Sequence, residues 1–242
     1  MRIEPNQIVN GGTYTENVEN HGTIRGGVFT GKVDNFGGIE GGEFKGEVEV
    51  HPHTSISGGE FKGIVEVYQH SSISGGKFYR FVHVQPDANI NNGEFLGAVK
   101  VNGTINNGKF FNKVDLSGGI KGGEFFGTVT AFRNSEISGG IFQGEVDEFL
   151  DVQIHGKAKI YGPLYKIYTD PISGQFKRKV LEKPAVENFT DEIRKNNDYP
   201  AIMKKAMEKI IEEKNSSYTN DQNDKNPLDL LALTQDFNDN IL

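Results

Sequence analysis

The 242-residue sequence has no cysteine, which excludes disulfide bonds and thiolate metal sites and leaves the redox character of its compartment open. No apolar run reaches membrane length, and the opening MRIEPNQIVNGG lacks the apolar core of a secretory signal. A cytoplasmic protein with no membrane partner is expected, while export by a route that needs no cleavable signal stays open. Basic residues are scarce in one region. Residues 1–156 hold 12 Lys/Arg against 19 Asp/Glu, a net of −7, whereas residues 157–242 hold 14 of each. Phosphate backbones are bound through Lys and Arg, so the acidic region is expected to bind no nucleic acid. No catalytic motif occurs, and a protein that is not an enzyme and uses no cofactor is expected.

What the chain has in excess is glycine, 31 residues of 242 against a usual ~7%. Nearly all of the excess falls in a recurring phrase, seen as IEGGEFKGEVEV at Ile39–Val50 and ISGGEFKGIVEV at Ile56–Val67. Further copies begin at Val9, Ile24, Ile73, Ile90, Ile105, Ile120 and Ile137, with a decayed one at Ile154. Successive starts lie 15 or 17 residues apart, which is a repeat architecture. A phrase this short has no room for both a helix and a strand. Each copy is therefore expected to be one coil of an all-β, single-chain parallel β-solenoid. About ten coils stacked at ~4.8 Å would form a rod of roughly 45–50 Å.

The corners follow from the glycines. With the leading Ile as position 0, position 3 is Gly in all nine full copies and position 2 is Gly or Asn, a tight-turn pair. Position 7 is Gly in six, with Glu16, Arg80 and Asn112 as exceptions. The third corner absorbs the difference in length: 15-residue coils have Gly at position 13, and 17-residue coils have loops such as HPHTS and QPDAN. Three corners imply a roughly triangular section. Positions 0, 5, 9 and 11 then point inward as columns of Ile, Phe and Val, and the buried Phe column (Phe29 to Phe142) is expected to dominate stability. A sandwich of hairpins is the alternative architecture.

The outward columns carry whatever the solenoid does. Position 4 alternates in sign (Glu60, Lys77, Glu94, Lys109, Glu124), which suits register and solubility. Position 10 holds Asp34, Glu49, Glu66, His83, Lys100 and Asp115; stacked Glu49 and Glu66 are a candidate cation site or acid/base pair, with a solvated acidic stripe as the plainer reading. His53 and His70, with His51 close by, could start a metal site, but no third ligand recurs, so loop histidines without a role and no metal site are expected. Ser55, Ser57, Ser72, Ser74, Asn89, Asn91, Thr104 and Asn106 flank the Ile column as a flat polar face suited to a glycan or simply to tight turns. Position 6 changes character along the chain, from Thr30, Lys45 and Lys62 to Tyr79, Leu96, Phe111 and Phe126, and position 8 adds Ile64, Phe81 and Ala98. These form an expected exposed apolar strip, the kind of surface that a monomer rarely leaves bare.

The expected organisation is a solenoid over 1–162, a cap or linker over 163–184, a helical segment over 185–214, a flexible linker over 215–226 and a docking helix or peptide over 227–242. Tyr199–Lys214 carries Ile202, Met203, Ala206, Ile210 and Ile211 on one side. Asn226-Pro227 is a helix-start signal, after which Leu230, Leu233 and Phe237 share a face and Ile241 and Leu242 close the segment. A short apolar and acidic segment behind a tether suits docking into a groove. Its DFNDNIL ending loosely resembles the acidic tip of bacterial single-stranded-DNA-binding proteins, and packing as an ordinary C-terminal helix fits it equally.

The phrase I-x-G-G-x-F-x-G-x-V-x-V over residues 9–156 resembles the repeats of bactofilins, polymer-forming bacterial cytoskeletal β-solenoids. The resemblance implies a scaffolding role, although the Phe column and long tail depart from that family and put end-to-end polymerisation in question. The expected function is a structural or adaptor protein whose strip and tail engage a protein partner or a second copy. A fibre component, a carbohydrate-active β-helix enzyme and an acidic DNA mimic are the alternatives.

Overall fold

The computed structural model describes residues 1–182 apart from Leu150, Ile172 and Gly174. These lie in the first of the two units into which the chain divides, Met1–Ala185. The expected helical extension and C-terminal peptide fall outside the described residues. Within them the chain is an all-β parallel β-solenoid of about 10 turns, with no helix.

From the coil starting at Ile39 onward each full coil contributes three short strands, as in Ser55–Ile56, Glu60–Phe61 and Val65–Val67, whereas in the two copies before it the first two run together as Ile8–Tyr14 and Thr23–Phe29. The three strands define a first, second and third face. Along every face, pairing joins the same position of adjacent phrases: Ile73 to Ile90, Phe95 to Phe110, Val82 to Val99. Coils of 15 and 17 residues keep this register because their difference is confined to the third corner. Equal places in the phrase are neighbours in space.

Two corners need glycine for different reasons. At position 3, Gly42 has φ +113, a left-handed conformation that L side chains rarely adopt. At position 7 the demand is steric: a Cβ on Gly63 would lie 1.9 Å from the Gly46 carbonyl oxygen of the coil before. The third corner of 17-residue coils turns on one left-handed residue: His53, His70, Asp87, Asn134 and Asp151. His, Asn and Asp are the side chains that tolerate this region best.

Positions 0, 5 and 9 fill the core. From Phe29 to Phe142 all eight Phe rings are fully buried, stacked with centroids 4.7–5.0 Å apart and planes within 8° of parallel. Tyr14 continues the stack on Phe29 at 4.8 Å. Each ring contributes about 1.5–3 kcal/mol through burial, with offset stacking adding to it. Position 11 is not uniformly apolar. Asn20 and Asn35 are fully buried there, ahead of Val50, Val67, Val84 and Val101. Asn20 Nδ2 donates to Asn35 Oδ1 at 2.6 Å and to the Gly38 carbonyl at 3.3 Å, and Asn20 Oδ1 accepts from the Gly22 amide at 3.1 Å. Asn35 Nδ2 donates to the Gly37 carbonyl at 3.0 Å. The two amides thus have partners inside the core and brace the third corner of the first coils, which avoids the penalty of a buried unpaired group.

After the last coil, strand Leu164–Thr169 pairs in parallel with Val146–Glu148 and then antiparallel with Phe176–Glu182. Arg178 fastens this hairpin. Its guanidinium lies 4.0 Å from the Tyr165 ring centroid and donates to Glu145 at 2.8 Å and Asp147 at 2.7 Å.

Candidate functional site: the outer columns

The apolar residues at positions 6 and 8 fall on either side of the second corner. Tyr79, Leu96, Phe111 and Phe126 extend from consecutive second-face strands, and the rings of Phe111 and Phe126 stack at 5.0 Å and 5°. Ile64 and Phe81 lie across the corner, 43% and 38% exposed. Tyr79, Phe111 and Phe126 are half-buried. Leu96 departs from the expected exposure, being buried at 9%. It is the one aliphatic member of the column and sits between the longer side chains of Tyr79 and Phe111. The Tyr79 hydroxyl donates to Glu60 at 3.5 Å, and the Lys77 ammonium lies 5.5 Å from the Tyr79 ring centroid.

In earlier coils position 6 carries charge. Lys62 binds Glu43 at 2.8 Å and Lys45 approaches it at 3.7 Å. The hydrogen bond from Lys62 holds the Glu43 carboxyl below its ordinary range, against the opposing effect of burial. Beside it, position 4 pairs Glu60 with Lys77 and Lys77 with Glu94, the latter with charged atoms 3.8 Å apart. Exposed pairs of this kind add little stability.

The third face presents positions 10 and 12 outward. Glu49 and Glu66 are register partners, as their spacing implies. Each has its own partner, however. Lys32 donates to Glu49 at 2.6 Å, and His83 Nδ1 lies 2.9 Å from Glu66. Hydrogen bonding to Glu49 raises the Lys32 ammonium above its ordinary range. Position 12 holds a ring ladder that the repeat pattern does not reveal: His21 on Phe36 at 4.9 Å, Phe36 on His51 at 3.9 Å and His51 on Tyr68 at 5.4 Å. Its members differ in residue type, so only the phase of the phrase could have linked them. Burial, with Glu49 and Glu66 nearby, raises the Tyr68 phenol.

His53 and His70 stack at 5.3 Å on exposed third corners, where their left-handed backbone accounts for their presence. His51 diverges from them and faces acids instead: its Nε2 lies 3.8 Å from Asp34 and 3.7 Å from Glu49. On the first face, Asn106 Nδ2 donates to Asn91 Oδ1 at 2.8 Å and Asn91 Nδ2 to Ser74 Oγ at 3.4 Å. These amides are engaged along the stack, leaving fewer groups for a flat ligand. Leu230, Leu233, Phe237, Ile241 and Leu242 lie outside the described residues. Compared with protein-family models, with curated proteins and with solved structures, the chain matches none.

Proposed function

We propose that the protein is a non-enzymatic structural or adaptor component whose solenoid engages a protein partner or a second copy. The observation that carries this reading is the change in position 6 from Lys45 and Lys62, paired to Glu43, to the apolar column Tyr79, Leu96, Phe111 and Phe126 on an unchanged backbone. A solvated column has no physical need of large apolar side chains, and exposed Ile64 and Phe81 widen the patch across the corner. The apolar and acidic tail carrying Leu230, Leu233 and Phe237 supplies a second contact in this reading, and a cytoplasmic location goes with it. The separate partners of Glu49 and Glu66, the Lys32 ammonium and the His83 imidazole, weigh against a catalytic carboxylate pair, since each acid is already engaged.

Light scattering of the full chain tests this, comparing wild type with Phe111→Ser plus Phe126→Ser. Loss of self-association or of partner capture is expected, with the far-ultraviolet circular dichroism of the solenoid retained. Unchanged assembly in a folded double variant would overturn the assignment to the strip. A polymer is the alternative assembled form, and concentration-dependent filaments in electron micrographs would favour it over a discrete oligomer.

A further inference from the structure

We propose that Asp34, Glu49 and His51 form a binding site for a divalent transition-metal cation of the zinc type, bridging two adjacent coils of the solenoid. One ligand atom from each of the three lies within 4.8 Å of the other two. In a tetrahedral zinc site with bonds of about 2.0–2.1 Å, neighbouring donors are about 3.3 Å apart. The His51 Nε2 distances of 3.8 Å to Asp34 and 3.7 Å to Glu49 therefore need only a few tenths of an ångström of closure. One imidazole with two carboxylates suits zinc, cobalt or nickel better than calcium or magnesium, which prefer all-oxygen shells.

Two features preorganise these donors. Asp34 and Glu49 are direct register partners on neighbouring third-face strands, so their spacing is set by the backbone ladder. The His51 ring is held between Phe36 at 3.9 Å and Tyr68 at 5.4 Å, which fixes its plane with Nε2 toward the acids. Its carbonyl is braced by the hydroxyls of Thr54 at 2.6 Å and Ser71 at 2.7 Å. Such support from surrounding groups is what holds metal ligands in place. The site is also already used by a cation. The Lys32 ammonium sits 2.6 Å from Glu49 and 3.2 Å from Asp34. A flexible four-carbon stem lets that ammonium withdraw, so Lys32 acts as a built-in competitor that a metal must displace. The remaining coordination positions are left to water or to a donor from a partner.

Equilibrium dialysis of the tag-free full chain against zinc chloride tests the proposal, with visible absorption of the cobalt form as a second readout. One metal per chain at this site is expected, with affinity falling at least tenfold in Glu49→Gln and in His51→Ala. Lys32→Gln should bind several-fold more tightly, and His53→Ala plus His70→Ala should leave binding unchanged. Circular dichroism establishes that each variant is folded, and Glu49→Gln keeps the size of the side chain should His51→Ala disturb the ring ladder. Absence of stoichiometric binding in the wild type overturns the proposal. So does affinity that survives Glu49→Gln, or that is lost with His53 and His70.

Discussion

Two of the solenoid's Phe stacks have nearly equal geometry. Inside, Phe95 and Phe110 lie 4.8 Å apart at 4°; outside, Phe111 and Phe126 lie 5.0 Å apart at 5°. The backbone ladder imposes this spacing wherever like residues recur at one position. Stacking alone therefore says nothing about role. Burial separates the two: the inner rings are fully buried, while Phe111 and Phe126 are half-buried. The inner stack holds the coils together, and the outer one is a surface placed upon them.

Substitutions can break or sharpen this contrast. Phe95→Ala should cost about 3–5 kcal/mol, because a cavity opens in a stack clamped from both sides; urea denaturation measures it. Asn35→Ala comes next, at about 1–3 kcal/mol, since it leaves the buried Asn20 amide short of its 2.6 Å acceptor. Phe111→Ala should cost about 1 kcal/mol or less in the same assay, while changing assembly by light scattering. An equal cost for Phe95→Ala and Phe111→Ala would erase the distinction.

Smaller effects concern acids. Glu148 takes the inward position 11 below Ala131, and burial raises its carboxyl above the ordinary range, partly offset by Lys166. A raised carboxyl means that the fold disfavours the ionised form. Glu148→Gln should therefore raise the thermal midpoint at pH 7, with the gain fading as acidification protonates the wild-type residue. Glu43 has the opposite sign. Its carboxyl is lowered from an ordinary value of 4.5, so its contribution is present above that pH and lost as pH falls through the folded value. Glu43→Gln should flatten that limb of the acid denaturation profile slightly.

The Phe column was legible in the sequence because one residue type recurs at one phase, and the register followed once equal phases were stacked. Asn20 and Asn35 were not legible as core, since their inward placement depends on hydrogen bonds to each other and to corner carbonyls. His53 and His70 read as loop histidines without a role, and the left-handed third corner supplies the physical reason for them. The ladder of His21, Phe36, His51 and Tyr68 was hidden by its mixed chemistry. The cluster of Asp34, Glu49 and His51 was hidden because it combines positions 10 and 12 of neighbouring coils. The apolar strip could be located from position 6, but the burial of Leu96 depends on the size of the side chains beside it.

That equal places in successive phrases are neighbours in space can be measured directly, because the absence of cysteine permits clean labelling. Pyrene attached at Ser74→Cys and Asn91→Cys, exposed positions one coil apart, should give strong, concentration-independent excimer emission. The pair Ser57→Cys and Asn106→Cys, three coils apart at roughly 14 Å, should give little. Monomer emission alone from the first pair in a folded chain, or equal excimer from both, would contradict the stacked solenoid.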